Sequence, residues 1–269
     1  MKFKLFISDF DGTLGKSPKN LIDEQTVKAI DEYVKKGGIF AVCTGRQFAS
    51  IGPICKRHNI SGIVICYQGA MIKDVETGKD VLIDGIDYQT GIDIVERFRK
   101  EDVQIIVDID DKMYYDKASQ YTDRFEQGTG VKGNLVDDVI EIINQKKRKL
   151  QKVCIMCPPE KAKALTEKYN EFYGGKILFN NGEPFLIDAI NPAFSKEFAV
   201  KYLADYYNVP YEQILTVGDS SNDVGLVSGA WYGVAVGDGC DEVKAAAKEI
   251  TVPFDKQPVL TLLKKYCLD

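Results

Sequence analysis

A chain of 269 residues that is 45% apolar can build one large domain or two modest ones, and a net charge of −5 argues against nucleic acid or an anionic membrane as its main partner. No stretch approaches the ~18 apolar residues of a membrane span. Asp9 comes too early for a signal peptide, and seven scattered cysteines, an odd number, fit a reducing compartment, so a cytoplasmic location is expected.

The first element predicted is a strand, Leu5-Phe6-Ile7-Ser8, that runs straight into Asp9-Phe10-Asp11-Gly12. Alternate residues of an extended segment point the same way, so Asp9 and Asp11 set two carboxylates side by side at a strand end, where a cation would relieve their repulsion. Two other readings of the segment stand beside this one. An Asp-Gly pair commonly closes a hairpin, whereas a calcium loop would need its glycine sixth and here it comes fourth.

Val27, Ile30, Tyr33 and Val34 recur at helical spacing over 23–36, and Gly37-Gly38 stops that helix. Ile39 to Cys43 reads as a strand buried on both faces and ends in Thr44-Gly45-Arg46. A helix over 48–58 and a third apolar run, Ile63 to Cys66, complete a βαβαβ pattern, which implies a parallel sheet with right-handed crossovers. Such sheets bind ligands at the carboxyl ends of their strands, which is where Asp9 and Thr44 lie.

Between about Asp84 and Asp188 the pattern changes to antiparallel pairs and helices. Strands are predicted near Val103–Ile109, Lys112–Asp116, Lys152–Cys157, Lys176–Phe179 and Pro184–Ile190, with helices near 92–100 and 159–173 and two weaker ones between. We read this third as an α+β domain over 85–188 inserted into an α/β domain made of 1–84 and 189–269. Asp84-Gly85 and Ala189–Pro192 are its expected hinges. Tyr114, Tyr115, Tyr121, Phe125 and Phe185 either line a pocket there or form its core. Cys154 and Cys157 lack the further ligands of a zinc site and read as packing residues, and Lys146-Lys147-Arg148-Lys149 as a solvated loop.

From Ser195 a helix leads to the strand Ile214 to Gly218, which stops at Asp219-Ser220-Ser221-Asn222-Asp223. Short strands near 233–236 and 250–252 close the sheet. Lys196 opens its helix, where a cation opposes the dipole, so its position calls for another reason. Asp219 and Asp223 also suit a helix cap. With a single histidine in the chain, acid-base chemistry falls to carboxylates or lysine. Together the clusters supply carboxylates for a hard divalent ion, a hydroxyl with backbone N–H groups for an anion, and one positive charge, an inventory suited to phosphoryl transfer.

In this arrangement the chain resembles the haloacid dehalogenase superfamily of phosphohydrolases, specifically its Cof-like branch with a large α/β cap. The four motifs are Asp9-Phe10-Asp11-Gly12-Thr13-Leu14, Thr44 in Thr44-Gly45-Arg46, Lys196, and Gly218-Asp219-Ser220-Ser221-Asn222-Asp223. The resemblance implies a Rossmann-like core with helices on both faces of a parallel sheet and an inserted cap. It also implies that Asp9 is the nucleophile, that Asp11 is the general acid and base, and that Thr44, Gly45 and Lys196 hold the phosphate, supported by Arg46 and Asn222. Mg²⁺ would bind Asp9, the Asp11 backbone carbonyl, Asp219 and Asp223. Asp11 is expected to keep its proton through burial beside other carboxylates. Gln68-Gly69-Ala70 and Asp238 depart from the branch's Asn-Gly-Ala and Asn.

The expected substrate is a small phosphorylated metabolite such as a sugar phosphate, hydrolysed through an aspartyl-phosphate. A phosphomutase with the same intermediate, a phosphoaspartate receiver and a non-catalytic phosphate sensor are the alternatives. The sequence says nothing of oligomeric state.

Overall fold

In the computed structural model, which describes residues 1–16 and 21–268, the chain divides into two units, Met1–Val81 with Ser195–Asp269, and Leu82–Phe194. The first begins with β1 (Leu5–Asp9), every residue of which is buried, as a nearly unbroken apolar run requires. Asp23 caps α1 (Glu24–Lys35) by accepting from the N–H groups of Gln25 and Thr26, and the helix turns Ala29, Ile30 and Tyr33 inward. β2 (Ile39–Cys43), α2 (Phe48–Arg57) and β3 (Ile63–Cys66) follow. β1 pairs parallel with β2, setting Asp9 opposite Cys43, and β2 pairs parallel with β3.

Two strands were not predicted. β4 (Met71–Asp74) runs antiparallel to β3, and β5 (Asp80–Ile83) joins the sheet beyond it, so the expected purely parallel sheet has an antiparallel edge. The two are joined by a tight turn in which the Asp74 carboxylate accepts from the Thr77 N–H and hydroxyl, and antiparallel neighbours need only such a short connection.

The second unit contains, in order, α3 (Tyr88–Phe98), β6 (Gln104–Ile109), β7 (Lys112–Tyr115), α4 (Gln120–Thr129), β8 (Asn134–Leu135), α5 (Val139–Lys146), β9 (Leu150–Met156), α6 (Pro159–Tyr173), β10 (Leu178–Glu183) and β11 (Leu186–Ile190). Its sheet has the order β10-β11-β9-β6-β7-β8. Phe98, Tyr169, Tyr173 and Phe179 pack on one face and Ile106, Met113, Tyr115 and Met156 on the other. Of the aromatic residues expected to line a pocket or form core, Tyr115, Tyr121, Phe125 and Phe185 belong to the second cluster, and Tyr114 to the first. Cys154 and Cys157 are divided between the two clusters, so the pair packs on opposite faces of the sheet.

The unit boundaries fall after Val81 and after Phe194, a few residues outside the sequence-based edges at 84 and 189. Both expected hinge segments lie inside the second unit, where β11 extends to Ile190 and Asn191 Nδ2 donates to the Gly85 carbonyl at 2.8 Å.

The chain returns with α7 (Lys196–Tyr206), β12 (Ile214–Gly218), α8 (Val224–Ser228), β13 (Tyr232–Ala235), α9 (Asp241–Ala246), β14 (Glu249–Ile250) and α10 (Pro258–Leu263). β12 inserts beside β1 in parallel register, Ser8 opposite Val217, completing the order β14-β13-β12-β1-β2-β3-β4-β5. β1 thus sits inside the sheet between two parallel partners. Its carboxyl end, with those of β2 and β12, gathers the polar residues of three distant segments. Phe6, wholly buried with its ring 5.5 Å from that of Phe40, anchors this centre. Phe6→Ala should lower stability by about 3–5 kcal/mol, read as a lower urea midpoint at unchanged slope.

Candidate active site

Asp9 ends β1 with its side chain buried, and the register places Asp219 one residue past the end of the adjoining β12. Lys196 is the first residue of α7, capped by Ser195 Oγ, which accepts from the Phe198 N–H. Its side chain is 1% exposed, and its Nζ donates to Asp9 Oδ1 and to Asp223 Oδ1, both at 2.6 Å. The lysine at an unfavourable helix end is explained by these two carboxylates. Burial alone would depress the ammonium, but Asp223 and Asp9 outweigh it and hold Lys196 above its ordinary value.

Asp223 is saturated. Its second oxygen accepts from the N–H groups of Asp219 and Ser220 and from the Ser220 hydroxyl, at 3.0–3.2 Å. It therefore fixes both Lys196 and the loop that carries Asp219. Asn222 is exposed and bonded to Ser220 at 2.8 Å, outside this cluster.

Carboxylate oxygens of Asp9, Asp219 and Asp223 lie within 4.8 Å of one another. One ammonium cannot neutralise three carboxylates. The surplus shows in the acids: burial, helped by Asp223 and Asp219 and opposed by Lys196, raises Asp9 well above the carboxylate range. Burial and Asp223, opposed by a hydrogen bond from Thr13, push Asp219 up to about 6. A divalent cation with oxygen preference would remove that surplus, so the donor set fits Mg²⁺. The surrounding shape fits as well. Gly12 sits at φ +83, and a Cβ there would come within 2.5 Å of Asp219 Oδ2.

Thr13, to which sequence reasoning gave no role, donates from Oγ1 to Asp219 Oδ1 at 2.8 Å. The signal for it was its place in the first motif. Thr44 is buried, and its Oγ1 accepts from the Arg46 N–H at 3.2 Å, closing the turn Thr44-Gly45-Arg46.

Asp11 departs from expectation. It is not buried among carboxylates: its side chain is 44% exposed and forms a two-point pair with Arg46, Nε to Oδ2 at 2.7 Å and the terminal nitrogen to Oδ1 at 2.5 Å. The alternation along β1 breaks here, because the chain turns at Phe10, whose carbonyl accepts from the N–H groups of Leu14 and Gly15, and Asp11 swings away from Asp9. The arginine read as a supporting residue is thus the direct partner of Asp11.

The family model described as haloacid dehalogenase-like hydrolase matches residues 6–263. The 5-amino-6-(5-phospho-D-ribitylamino)uracil phosphatase of Bacillus subtilis is 26% identical over 274 residues, 97% of each chain. A crystal structure from Thermotoga maritima covers 99% of this chain and 100% of its own, with a TM-score of 0.89 at 23% identity. Another structure, described as a subclass IIB sugar phosphatase, matches with a TM-score of 0.82 at 20% identity over 99% of this chain and 100% of its own.

The raised Asp219 has a consequence for stability. A carboxyl raised by folding favours the fold while it is protonated, and that contribution is complete below the unfolded value and lost as pH rises through about 6. In chelator, Asp219→Asn should therefore melt higher than wild type at pH 7.5, and the difference should vanish towards pH ~4.

Proposed function

Because this chain belongs to the haloacid dehalogenase-like hydrolase family, we propose that it is a Mg²⁺-dependent phosphomonoester hydrolase that works through an aspartyl-phosphate on Asp9. The observation that carries the proposal is the buried carboxylate of Asp9, ending β1 and held at 2.6 Å by Lys196. A carboxylate is a weak nucleophile, and two things are needed to use it: cancelled repulsion towards a phosphate dianion, and fixed aim.

The ion would be held by Asp9 and Asp219, whose oxygens are not fully committed to protein partners, with Asp223 acting mainly through Lys196 and the loop backbone. When bound, the cation supplies charge neutralisation of the phosphoryl oxygens. The chain's own residues do the rest. Lys196 orients Asp9 and offers its charge to the phosphoryl group, and Thr44 and Gly45 receive another of its oxygens at the end of β2. Asp9 attacks phosphorus, and the P–O bond to the alcohol breaks as Asp11 gives that oxygen a proton. Asp11 then takes a proton from the water that cleaves the acyl phosphate, regenerating Asp9. To act as the acid, Asp11 must first leave Arg46 and take up a proton from solvent. We take the Asp11–Arg46 pair as the resting state, opened when substrate enters.

The substrate class we favour is a phosphorylated sugar or sugar-like alcohol, taken from solution. The phosphoribityl compound in the name of the Bacillus relative supports this reading. The second unit, inserted between Val81 and Ser195, is the segment we assign to substrate selection as a cap. Among the described residues no helix is long and apolar enough to cross a membrane.

Phosphate release from a panel of sugar phosphates, alditol phosphates, nucleotides and an aryl phosphate tests this. Release should require Mg²⁺, fall to background in Asp9→Asn and drop by ~10²–10⁴-fold in Asp11→Asn. Full turnover by Asp9→Asn, or turnover indifferent to chelator, would refute the mechanism. Labelling of Asp9 without net release would favour a phosphomutase or a receiver instead.

A further inference from the structure

The backbone is most unusual between β3 and β4, in a segment the proposed chemistry leaves unused. Tyr67 and Gln68 both adopt left-handed conformations, at φ +50 and +60, followed by Gly69 at +121. Two adjacent non-glycine residues there are uncommon, and such strain persists only where the surroundings impose it. Here they do. The Tyr67 N–H donates to the Arg46 carbonyl at 3.1 Å and the Gln68 N–H to the Thr44 carbonyl at 3.2 Å, which straps the segment onto the Thr44-Gly45-Arg46 turn. Gly69 lies against Ser195, whose carbonyl is 2.6 Å from where a Cβ would stand, so no larger residue fits beside the cap of the helix that carries Lys196.

The strapping aims one side chain. Gln68 Nε2 lies 2.8 Å from the position a Cβ on Gly45 would take, so the carboxamide covers the one residue of the turn that has no side chain. Gln68 is partly exposed, and among the described residues its carboxamide has no hydrogen-bond partner. A polar group held over a bare backbone turn by a strained loop, with its own donors free, is arranged to meet a ligand on that turn.

We propose that Gln68 is a phosphoryl-binding residue that donates from its carboxamide to an oxygen of the phosphate held at Thr44 and Gly45. The inference rests on the phosphatase reading of this site and adds a donor to it. The carboxamide is neutral and needs no proton movement, so its contribution is to binding and is common to every phosphate ester the enzyme accepts. One methylene separates Gln from Asn, so Gln68→Asn keeps the donor but withdraws it from the turn.

The test measures binding of inorganic phosphate by calorimetry, in Mg²⁺ buffer, for wild type, Gln68→Ala and Gln68→Gly. Glycine accepts the left-handed backbone without strain, so it removes the carboxamide without threatening the loop. Both variants should bind phosphate about tenfold more weakly, as the loss of a single hydrogen bond to a charged oxygen implies. The Gln68→Gly protein should melt no lower than wild type. On every ester that wild type turns over, KM should rise by a similar factor. Wild-type phosphate affinity in Gln68→Gly would overturn the assignment, as would a wild-type protein that does not bind phosphate, or a loss confined to particular leaving groups. Phosphate bound in a Gln68-dependent way by a protein that hydrolyses no ester would instead leave the assignment standing and refute the hydrolase.

Discussion

A single ammonium among three clustered carboxylates is the constraint on which this molecule depends. Lys196 reaches Asp9 at the end of one strand and Asp223 in the loop after another, each at 2.6 Å, with all three side chains buried. Removing Lys196 would leave buried carboxylates facing one another with no counter-charge, which is far costlier than the set itself. The three segments must therefore arrive together: the pairing of β12 with β1 brings in the two carboxylates and the start of α7 brings in the lysine.

The same set is incomplete as a structural salt bridge. The Asp223 carboxylate accepts from Lys196, Asp219 and Ser220, whereas the Asp219 carboxylate accepts from Thr13 alone among the described residues, and Asp9 and Asp219 are raised accordingly. A core designed only for stability would not hold more negative than positive charge at a strand end. The imbalance is the property on which the proposed binding of a cation rests. Asp11 is more exposed than Asp9 and is paired with Arg46, so the two aspartates of one motif have two environments. That division is the usual means by which paired carboxylates take different roles.

The Thr44-Gly45-Arg46 turn and the segment after β3 are held together by the backbone. Thr44 closes its own turn, Gly45 leaves a bare surface, and the left-handed residues Tyr67 and Gln68 are strapped over it by two backbone hydrogen bonds. The unpredicted β4 follows directly from this reversal, since a chain that turns back at Gln68 and Gly69 returns antiparallel to β3. A conformational irregularity at the carboxyl end of β3 thus turns the last part of the sheet antiparallel.

Most of the architecture was legible in the sequence because buried parallel strands must be continuous apolar runs. Ile39 to Cys43, Ile63 to Cys66 and Ile214 to Gly218 appear in the structure with the bounds their residues predict, as does the helix over 159–173. The places of Asp9, Thr44 and Asp219 at strand ends and of Lys196 at a helix start were legible too, because each ends, follows or opens an element with a clear apolar period. The β4-β5 hairpin was not, since its short, half-polar strands carry neither period clearly. Nor were the Asp11–Arg46 pair, the Thr13 bond to Asp219 or the place of Gln68 above Gly45. Residue types and local periodicity are properties of one stretch of chain, and the sequence by itself determined them. Which carboxylate faces which cation, and which polar group is left free, depends on distances between segments as far apart as Asp9 and Lys196, and only the tertiary structure decided it.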